Sequence, residues 1–356
     1  MAVESRRRFL VATGTAGAGA VGFAAVGRAL VSGDVVAAVK AIPLPRPRHR
    51  RPVPDDVGFR VDGAAPYVTA NTDFYRIDTA LSAPRVDAQT WRLDIGGLVE
   101  RPFSIDYREL LSLPSVEEAV TLQCVSNEVG GDLVGNAVWQ GVRLRDLLER
   151  AGVRPDAEQV FSRSVDGWTC GFPLDVVRGD RVALVAYAMN GTRLPVLHGF
   201  PARLVVAGLY GYVSATKWLH SVELTTWDDV DGYWIPRGWS KEGPIKAASR
   251  IDVPRHGAEL SPGPMWLAGV AWRPAIGIAR VQVAIDDGPW SDCELGRVSS
   301  DDTWVQWRRR WSATSGSHRV RVRAVDRHGD PQSAAVAPPA PDGATGLHEV
   351  EFTVVG

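Results

Sequence analysis

The chain of 356 residues has only three cysteines and lacks the motifs of several common enzyme classes. Three cysteines cannot form the disulfide framework of a small secreted protein, and an odd number leaves at least one thiol free. The seven histidines form no HExxH motif and no two cysteines have C-x-x-C spacing, so the ligands of a zinc hydrolase are missing. A G-x-S-x-G motif is also absent, which argues against a serine hydrolase. The formal net charge is −1, so the overall charge indicates no nucleic-acid partner.

Composition and length indicate a folded protein of two domains. Hydrophobic residues make up 45% of the chain and charged residues 23%, which is typical of soluble globular proteins. A chain of 356 residues is long enough for two hydrophobic cores. Thirteen tryptophans and 24 prolines favour short strands, turns and large packed rings over a helical bundle.

Residues 1–40 have the pattern of an export signal. Arg6, Arg7 and Arg8 precede an uncharged, Gly/Ala-rich run over residues 9–27. Arginines followed by a weakly apolar run are typical of a twin-arginine (Tat) signal, which carries folded proteins, often with a cofactor installed. A membrane anchor is the alternative, since the run is about long enough to span a bilayer. We therefore expect export across the cytoplasmic membrane, to the periplasm or another extracytoplasmic face, with the segment cleaved or retained as an anchor.

Residues 41–57 and 58–245 differ in character. The first stretch is proline-rich and basic, so it cannot form a helix or a central strand and is predicted to be an extended linker. In the second stretch, strand-like and helix-like pieces follow one another without regular βαβ alternation, which predicts an α+β domain. One predicted helix lies over VRLRDLLERAG, where the leucines from Leu144 to Leu148 share a face and Gly152 ends the helix.

Residues 246–356 alternate apolar and polar side chains over short stretches. In IARVQVAIDDGPW, the apolar positions from Val281 to Ile285 lie on one face of a predicted strand, and a turn follows at Asp287 and Gly288. SHRVRVRAVDRHGD and HEVEFTVVG show the same two-residue period. Short alternating strands with frequent turns over about 110 residues predict a β-sandwich of the immunoglobulin-like kind.

Cys124 lies where a predicted strand ends. It follows the strand-like run EAVTLQ and precedes Ser126, Asn127 and two glycines. Binding and catalytic residues are often built at such strand ends. The alternative is an inert thiol in the core. Cys170 and Cys293 fit a core or surface position and are given no role, although a bond between them is conceivable.

Two further segments supply polar and charged groups. Residues 196–224 carry an imidazole and a guanidinium around a turn and, after a buried strand, hydroxyls and an ammonium group: His198, Arg203, Ser214, Thr216 and Lys217. Residues 70–78 mix an amide, two rings and a cation in an irregular stretch: Asn71, Phe74, Tyr75 and Arg76. Taken singly, each has a simpler structural explanation. Together they are the groups that a phosphate-bearing, hydrogen-bonding cofactor requires.

These segments together resemble a known family. The chain has TLQC followed by Asn127, then HGFPARLVV, KWL and DGYWIPRGWSKEGPI. Similar motifs occur in this order in the sulfite oxidase family of molybdopterin-dependent oxidoreductases, here in a bacterial, exported form. The resemblance runs from about Asn71 to the C-terminus and includes the sandwich, which in that family is the dimerisation domain. It implies a molybdenum–molybdopterin (Mo-MPT) cofactor and a homodimer.

The resemblance also assigns roles to residues. It implies that Cys124 gives its thiolate to molybdenum, which agrees with the preference of a sulfur-bound, high-valent metal for a soft ligand. Arg76 and Tyr233 match positions on the substrate side, although Trp234 competes with Tyr233 for that match. Ser164 matches a hydroxyl near the metal. The pterin and its phosphate end would contact the remaining candidates, which are Asn71, the Phe74–Tyr75 backbone, His198, Arg203, Ser214, Ala215, Thr216 and Lys217.

The segment after the cysteine motif departs from the family. Sulfite oxidases have arginines just after the asparagine of this motif, where they help to bind the anionic substrate, whereas this chain has Glu128 and Val129. A carboxylate at that place would repel sulfite. Because Arg76 is retained, the sequence leaves sulfite, a sulfoxide and another S- or N-oxide open as substrates.

We therefore expect oxygen-atom transfer at molybdenum on a small sulfur-type substrate. No haem-binding domain is recognised in the chain, so electrons are expected to pass to or from a separate protein, and a membrane-bound one is compatible with the basic linker. One alternative is a reductase of sulfoxides or other S- or N-oxides with the same cofactor. Another is an exported binding protein that has lost the cofactor, and the joint presence of Cys124, His198, Arg203 and Lys217 argues against it.

Overall fold

The computed structural model describes residues 43–356, and the predicted export signal lies outside this range. The described chain forms four β-sheets with a few short helices. None of these helices is long and apolar enough to cross a membrane. The strands are β1 (His49–Arg50), β2 (Arg92–Gly97), β3 (Phe103–Asp106), β4 (Val116–Gln123), β5 (Val134–Arg143), β6 (Gln159–Ser164), β7 (Thr169–Pro173), β8 (Ala183–Met189), β9 (Thr192–Arg193), β10 (Arg203–Val206), β11 (Leu219–Thr225), β12 (Ala248–Val253), β13 (Glu259–Leu260), β14 (Gly263–Trp272), β15 (Ile278–Ile285), β16 (Ser291–Asp292), β17 (Glu294–Leu295), β18 (Val305–Ala313), β19 (Gly316–Asp326) and β20 (Glu349–Val354). The helices are α1 (Tyr107–Ser112), α2 (Leu144–Ala151), α3 (Asp175–Arg178) and α4 (Gly211–Ser214), with 3-10 turns at Val196–His198 and Ile235–Arg237.

The first sheet has the strand order β1-β4-β5-β8-β10, with β9 paired to β8. β1 runs parallel to β4, and the other neighbours are antiparallel. Every residue of β4 and β8 is buried. One face of the sheet packs on the main core and the other on a smaller cluster around Phe74 and Trp139. Burial on both faces explains the unbroken apolar run ALVAYAM of β8.

The second sheet has the order β3-β2-β11-β6-β7, with β2 and β11 as its parallel pair. Leu93 and Ile95 of β2 and Val222 and Leu224 of β11 are fully buried in the main core. These strands alternate between buried and more exposed positions, because only one face of this sheet meets the core. The mixed strands and short helices confirm the predicted α+β character of the first domain.

Helix α2 is the one predicted over VRLRDLLERAG. Leu144, Leu147, Leu148 and Ala151 are buried on one face of it. The helix ends at Gly152, which has φ of 74° and donates its N–H to Leu148 O and Glu149 O. A left-handed residue after the last turn favours glycine, so the predicted end of the helix is confirmed.

The C-terminal part is the predicted β-sandwich. One sheet has the order β12-β14-β18-β17 and the other β13-β20-β19-β15-β16. The turn after β15 begins one residue before the predicted position. Asp286 and Asp287 have φ of 49° and 60°, and the N–H of Gly288 donates to Ile285 O at 2.8 Å. Two successive left-handed residues form this turn, and aspartate tolerates that conformation better than most side chains.

The segment predicted to be a linker is docked on the fold where the structure describes it. His49 and Arg50 form β1 and pair with Val116 and Glu117. The Nε2 of Gln140 donates to Pro45 O at 2.8 Å, and the side chains at positions 53 and 57 pack on the main core. Prolines in this segment exclude a strand in the middle of a sheet. Strand β1 is possible because it lies at the sheet edge and consists of two residues that are not proline.

The two domains share one core. Val270, Trp272 and Trp304 of the sandwich region belong to the main core of the first domain. The indole N–H of Trp272 donates to Gln123 Oε1 at 2.8 Å, next to Cys124. The first sandwich strand begins at Ala248, and the predicted boundary follows residue 245. The sandwich therefore supports the strand that positions the cysteine.

Candidate active site

A cavity lies where strands of both sheets of the first domain meet. β4 ends just before Cys124, β6 ends at Ser164 and β10 begins at Arg203. The cavity has about 910 Å³ of empty space, part of it open to solvent. Its wall includes a thiol, four tryptophans and three basic groups: Cys124; Trp168, Trp218, Trp234 and Trp239; His198, Arg203 and Lys217.

Cys124 is held by a short hydrogen-bonded loop at the end of β4. Its N–H donates to Leu133 O at 2.9 Å, and its carbonyl accepts from Asn127 N at 3.1 Å. The Oδ1 of Asn127 accepts from Leu133 N at 2.8 Å, so this buried amide closes the loop. The sequence after the strand therefore folds into a fixed loop that presents the cysteine to the cavity.

The thiol of Cys124 is 8% exposed, and burial raises its pKa, while hydrogen bonds from Ser126 act in the opposite direction. All three cysteines of the chain are free, so the conceivable bond between Cys170 and Cys293 is not formed. The described residues contain one cluster with three metal-ligating side chains, at residues 326–330 of the sandwich. Cys124 is outside it, so a metal at Cys124 would have to bring its other ligands with it.

His198 is fixed by the backbone of Asn71. Its Nε2 lies 2.8 Å from Asn71 O, a carbonyl that accepts, so Nε2 carries the proton and donates. The histidine is 5% exposed, and burial lowers its pKa, with the charge of Arg203 acting in the same direction. The imidazole is therefore neutral at pH 7. The Asn71 side chain points elsewhere, because its amide nitrogen donates to Thr192 Oγ1 at 3.1 Å and its oxygen accepts from Asn190 Nδ2 at 2.8 Å.

Arg203 is a buried cation without a carboxylate partner among residues 43–356. It is 5% exposed and donates to three backbone carbonyls, Leu204 O, His198 O and Ala215 O, at 3.2, 3.3 and 3.4 Å. Burial lowers its pKa to about 10. Its guanidinium also lies over the ring of Trp139, with 5.0 Å between Cζ and the ring centroid. A buried charge of this kind is costly unless an anion pairs with it.

Phe74 and Tyr75 form the aromatic floor of the cavity. Their rings stack with centroids 5.1 Å apart, and the ring of Phe74 also meets Trp139 edge-on at 5.7 Å. Gly135 of β5 makes room for Phe74, because a Cβ there would lie 2.7 Å from its Cε2. Burial raises the pKa of Tyr75, and a charge on Cys124 raises it further, so the phenol remains protonated beside the thiol.

The loop over residues 214–217 divides into residues that face the cavity and residues that hold the loop. Ala215 and Lys217 line the cavity. Ser214 is fully buried and donates to Tyr210 O at 3.0 Å. Thr216 is also fully buried, and its Oγ1 lies 3.1 Å from the sulfur of Cys170. The hydroxyls predicted to contact the cofactor therefore fix the loop in this structure.

Lys217 is placed by a glycine and an acidic residue. Gly199 has φ of 108°, and a Cβ there would lie 2.9 Å from the Cβ of Lys217, so the HGFP turn needs glycine at this point. The Nζ of Lys217 pairs with Asp78 and donates to Ile77 O at 3.1 Å. Burial lowers the pKa of Lys217 to about 7, and the charge of Arg76 also lowers it. The contact with Asp78 favours the charged form.

The three remaining predicted residues differ in their access to the cavity. Ser164 lines it and is 3% exposed. Arg76 and Tyr233 stand beside residues of the wall and are not part of it. Arg76 is paired with Asp78, and the ring of Tyr233 lies under the guanidinium of Arg237. Of the two neighbours that competed for one position, Trp234 is the one that lines the cavity.

Sequence reasoning missed several residues of the site. Asp78 lies in the wall, and the signal was present, since it follows Arg76 by two residues in an irregular stretch. Tyr212, Trp168, Trp218 and Trp239 also line the cavity, but tryptophan and tyrosine in a sequence equally indicate core packing. Glu128 is exposed outside the wall, so its carboxylate does not act in the cavity as the sequence suggested.

Comparison with known proteins finds matches to oxidoreductases. Residues 80–234 match the family model described as "Oxidoreductase molybdopterin binding domain". The chain is 36% identical over 157 residues to the uncharacterized oxidoreductase YuiH of Bacillus subtilis, covering 44% of this chain and 76% of that protein. It is 29% identical over 322 residues to the mitochondrial sulfite oxidase of Homo sapiens, covering 76% of this chain and 58% of the relative. The match thus spans less than two thirds of the mitochondrial enzyme.

A solved structure shows the same fold. The sulfane dehydrogenase SoxCD of Paracoccus pantotrophus superposes with a TM-score of 0.65 at 23% identity, covering 77% of this chain and 80% of that chain. Together with the matching family model, the fold and the site define the class of the protein, which is an oxidoreductase with a molybdopterin-binding domain. With the sequence matches added, the chain belongs to the sulfite oxidase family of molybdopterin-dependent oxidoreductases. The cofactor of the family is molybdenum–molybdopterin.

The residues present fit this cofactor. Cys124, the one thiol among the wall residues, suits a metal whose other ligands come from the cofactor and not from the protein. Arg203, without a carboxylate partner among the described residues, offers a guanidinium to a phosphate group. His198 and Lys217 line the same cavity, so donors for a polar ligand lie around one space.

Proposed function

We propose that the chain catalyses oxygen-atom transfer at a molybdenum centre ligated by Cys124, acting on a small sulfur-type substrate. The observation that carries the proposal is Arg203, a guanidinium 5% exposed and without a carboxylate partner in the described chain, beside the cavity that contains a buried free thiol. A fold keeps an unpaired buried cation at a cost, which a bound anionic group offsets. The names of the relatives, sulfite oxidase and sulfane dehydrogenase, specify sulfur compounds.

Some residues of the cavity would bind the cofactor and others would position the substrate. When bound, the cofactor supplies a redox-active metal with sulfur ligands. Cys124 would ligate the metal, and Arg203 and Lys217 would hold the phosphate end. His198, whose Nε2 is occupied by Asn71 O, presents its other ring nitrogen as an acceptor.

The wall of the cavity supports positioning and shielding of a small substrate. Ser164 offers a hydroxyl at the end of β6, and Trp168 and Trp234 add large rings to the wall. Arg76 and Tyr233 are the residues proposed on the substrate side by resemblance, and both adjoin this wall. Large apolar rings exclude water and so strengthen the polar contacts within.

Three accompanying proposals concern the cellular setting. The arginines at residues 6–8 and the uncharged run after them support export, with a periplasmic or other extracytoplasmic location. Electrons would pass to or from a separate electron-transfer protein, for which a membrane-bound carrier is one candidate. The sandwich supports a homodimer by resemblance to the family.

Metal and pterin analysis tests the proposal. Protein from a molybdate-supplied host that makes the cofactor should contain close to one molybdenum and one pterin per chain. Cys124→Ser should lose molybdenum or its activity, because an alcohol is a poor ligand for this metal, whereas Cys293→Ser in the sandwich should keep both. Full turnover by Cys124→Ser with metal bound would contradict the role of the thiol. Absence of both metal and pterin from the wild-type protein would favour a binding protein instead.

A substrate panel decides between the two directions of the reaction. Sulfite with an oxidising dye and sulfoxides or N-oxides with a reduced dye should be compared on the same holoenzyme. Reduction of an S-oxide is the second candidate function, and the four tryptophans of the wall favour it, because an uncharged organic group packs well against aromatic rings. Turnover of neither class would contradict the proposed substrate class.

A further inference from the structure

Asp78 joins two cations at the wall of the cavity. One carboxylate oxygen, Oδ2, contacts the Nε of Arg76, and the other, Oδ1, contacts the Nζ of Lys217. The side chain of Asp78 is 5% exposed, that of Lys217 13% and that of Arg76 24%. The three side chains are therefore one largely buried, bridged unit, and Asp78 and Lys217 both line the cavity.

The bridge changes what Arg76 can offer to a ligand. A guanidinium already paired with a carboxylate binds a second anion more weakly, because the anion is repelled by the carboxylate at close range. Among the cations at the cavity, Lys217 is paired with the same carboxylate, and Arg203 donates to backbone carbonyls. Asp78 thus reduces the positive charge that the substrate side of the cavity presents.

The rest of the wall near this unit adds little positive charge. Ile77 and Trp168 are apolar, and Asp166 is a further acidic residue of the wall. The chain has Glu128 and Val129 where the family's substrate arginines stand, and both are exposed outside the cavity. Among the described residues, the only arginine of the wall is Arg203, which is proposed to hold the phosphate end of the cofactor, so no arginine of the wall compensates for the pairing of Arg76 with Asp78.

We propose that Asp78 is a specificity-determining residue, which offsets one of the two positive charges of Arg76 and Lys217 and so disfavours small oxyanions relative to uncharged sulfur compounds at this cavity. The inference rests on the proposed function for its substrate class. Its binding test uses inorganic sulfate, an unreactive oxyanion, so it can be decided without turnover.

Asp78→Asn in the holoenzyme is the direct test. Binding of sulfate can be followed by the fluorescence of the tryptophans in the wall. Removal of the carboxylate should tighten sulfate binding at least about tenfold and lower the KM for sulfite by a similar factor, since the guanidinium of Arg76 then faces the anion without its paired carboxylate. The KM for dimethyl sulfoxide, which is uncharged, should change by less than about twofold. Asp78→Glu, which keeps the charge, should bind sulfate as weakly as the wild type.

A matched control separates a local effect from a change in total charge. Asp73→Asn removes one carboxylate from the same segment, at an exposed residue whose side chain accepts from Thr72. It should leave sulfate binding within about twofold of the wild type. If Asp78→Asn binds sulfate no more tightly than the wild type, or if Asp73→Asn has an equal effect, the assignment of Asp78 is wrong.

The outcomes distinguish this inference from the proposed function. Failure of the wild-type holoenzyme to turn over any sulfur compound would refute the proposed function, while sulfate binding would still report on Asp78. If Asp78→Asn does not fold or retain metal, Arg76→Gln decides. This variant leaves Asp78 paired with Lys217 alone and lowers the net charge of the unit from +1 to zero, so sulfate binding should weaken by about threefold or more, whereas unchanged sulfate binding would show that the charge of this unit does not act on the anion and that the assignment is wrong.

Discussion

Replacement of Arg203 by methionine is expected to stabilise the cofactor-free protein and to impair retention of the cofactor. Burial lowers the pKa of Arg203 from 12.5 to about 10, which corresponds to a cost of about 3 kcal/mol for holding this charge in the folded state. The hydrogen bonds to Leu204 O, His198 O and Ala215 O, at 3.2–3.4 Å, offset about 1–2 kcal/mol of that cost. Methionine has no charge and fills a similar elongated space. The free energy of unfolding should therefore rise by about 1–2 kcal/mol.

The assay compares two preparations of each variant. Cofactor-free protein, from a host that cannot make molybdopterin, is unfolded in urea, and protein from a competent host is analysed for pterin and molybdenum. The variant should be the more stable cofactor-free protein and yet contain less than about a tenth of the pterin of the wild type, because its phosphate partner is gone. Arg237→Met, an exposed arginine over Tyr233, is the control and should change neither value. A variant that is destabilised by 1 kcal/mol or more and keeps its pterin would show that Arg203 is a structural residue.

Two further predictions concern stability. Gly135→Ala should lower the free energy of unfolding by about 1–3 kcal/mol, because the new Cβ meets the ring of Phe74 at 2.7 Å, and adding Phe74→Leu should restore part of the loss in urea unfolding. Asp302 is buried, and its pKa is raised from 3.8 to about 6, so its stabilising effect is complete below about pH 3.8 and is lost as pH rises through 6. Asp302→Asn should therefore be about 1–3 kcal/mol more stable than the wild type at pH 8 and similar to it near pH 4. A difference that is the same at both pH values would contradict this.

The sequence predicted the helices and strands whose residue pattern is set by the burial of one apolar face. Helix α2 has a single apolar face and a glycine after its last turn, and the sandwich strands β15, β19 and β20 alternate apolar and polar residues over most of their length, so these elements were found. The Cys124 loop was located because a polar, glycine-rich stretch follows an apolar strand. Contacts between distant residues were out of reach. The pairing of β1 with β4 joins residues 67 positions apart and depends on two residue pairs, which leave no periodic signal.

The sequence predicted which residues come together at the site better than it predicted which way their side chains point. Cys124, His198, Arg203 and Lys217 come together at one cavity. The sequence could not show that Thr216 turns towards Cys170, or that Asn71 acts through its backbone, because both depend on which side of an irregular segment faces inward. For the same reason Asp78 was overlooked, although its partners were both candidates.

The direction of strand β4 also determines which end of the described chain can be attached to a surface without blocking the cavity. β1 lies beside the first residues of β4 and runs parallel to it, so the chain before His49 continues away from Cys124. The eight residues of β4 span about 26 Å, and the thiol stands at their far end. A linker attached to a chain that begins at residue 43 would therefore start on the side remote from the cavity. Immobilising the protein on an electrode or sensor surface through that end would leave the opening free for substrate and for an electron carrier in solution.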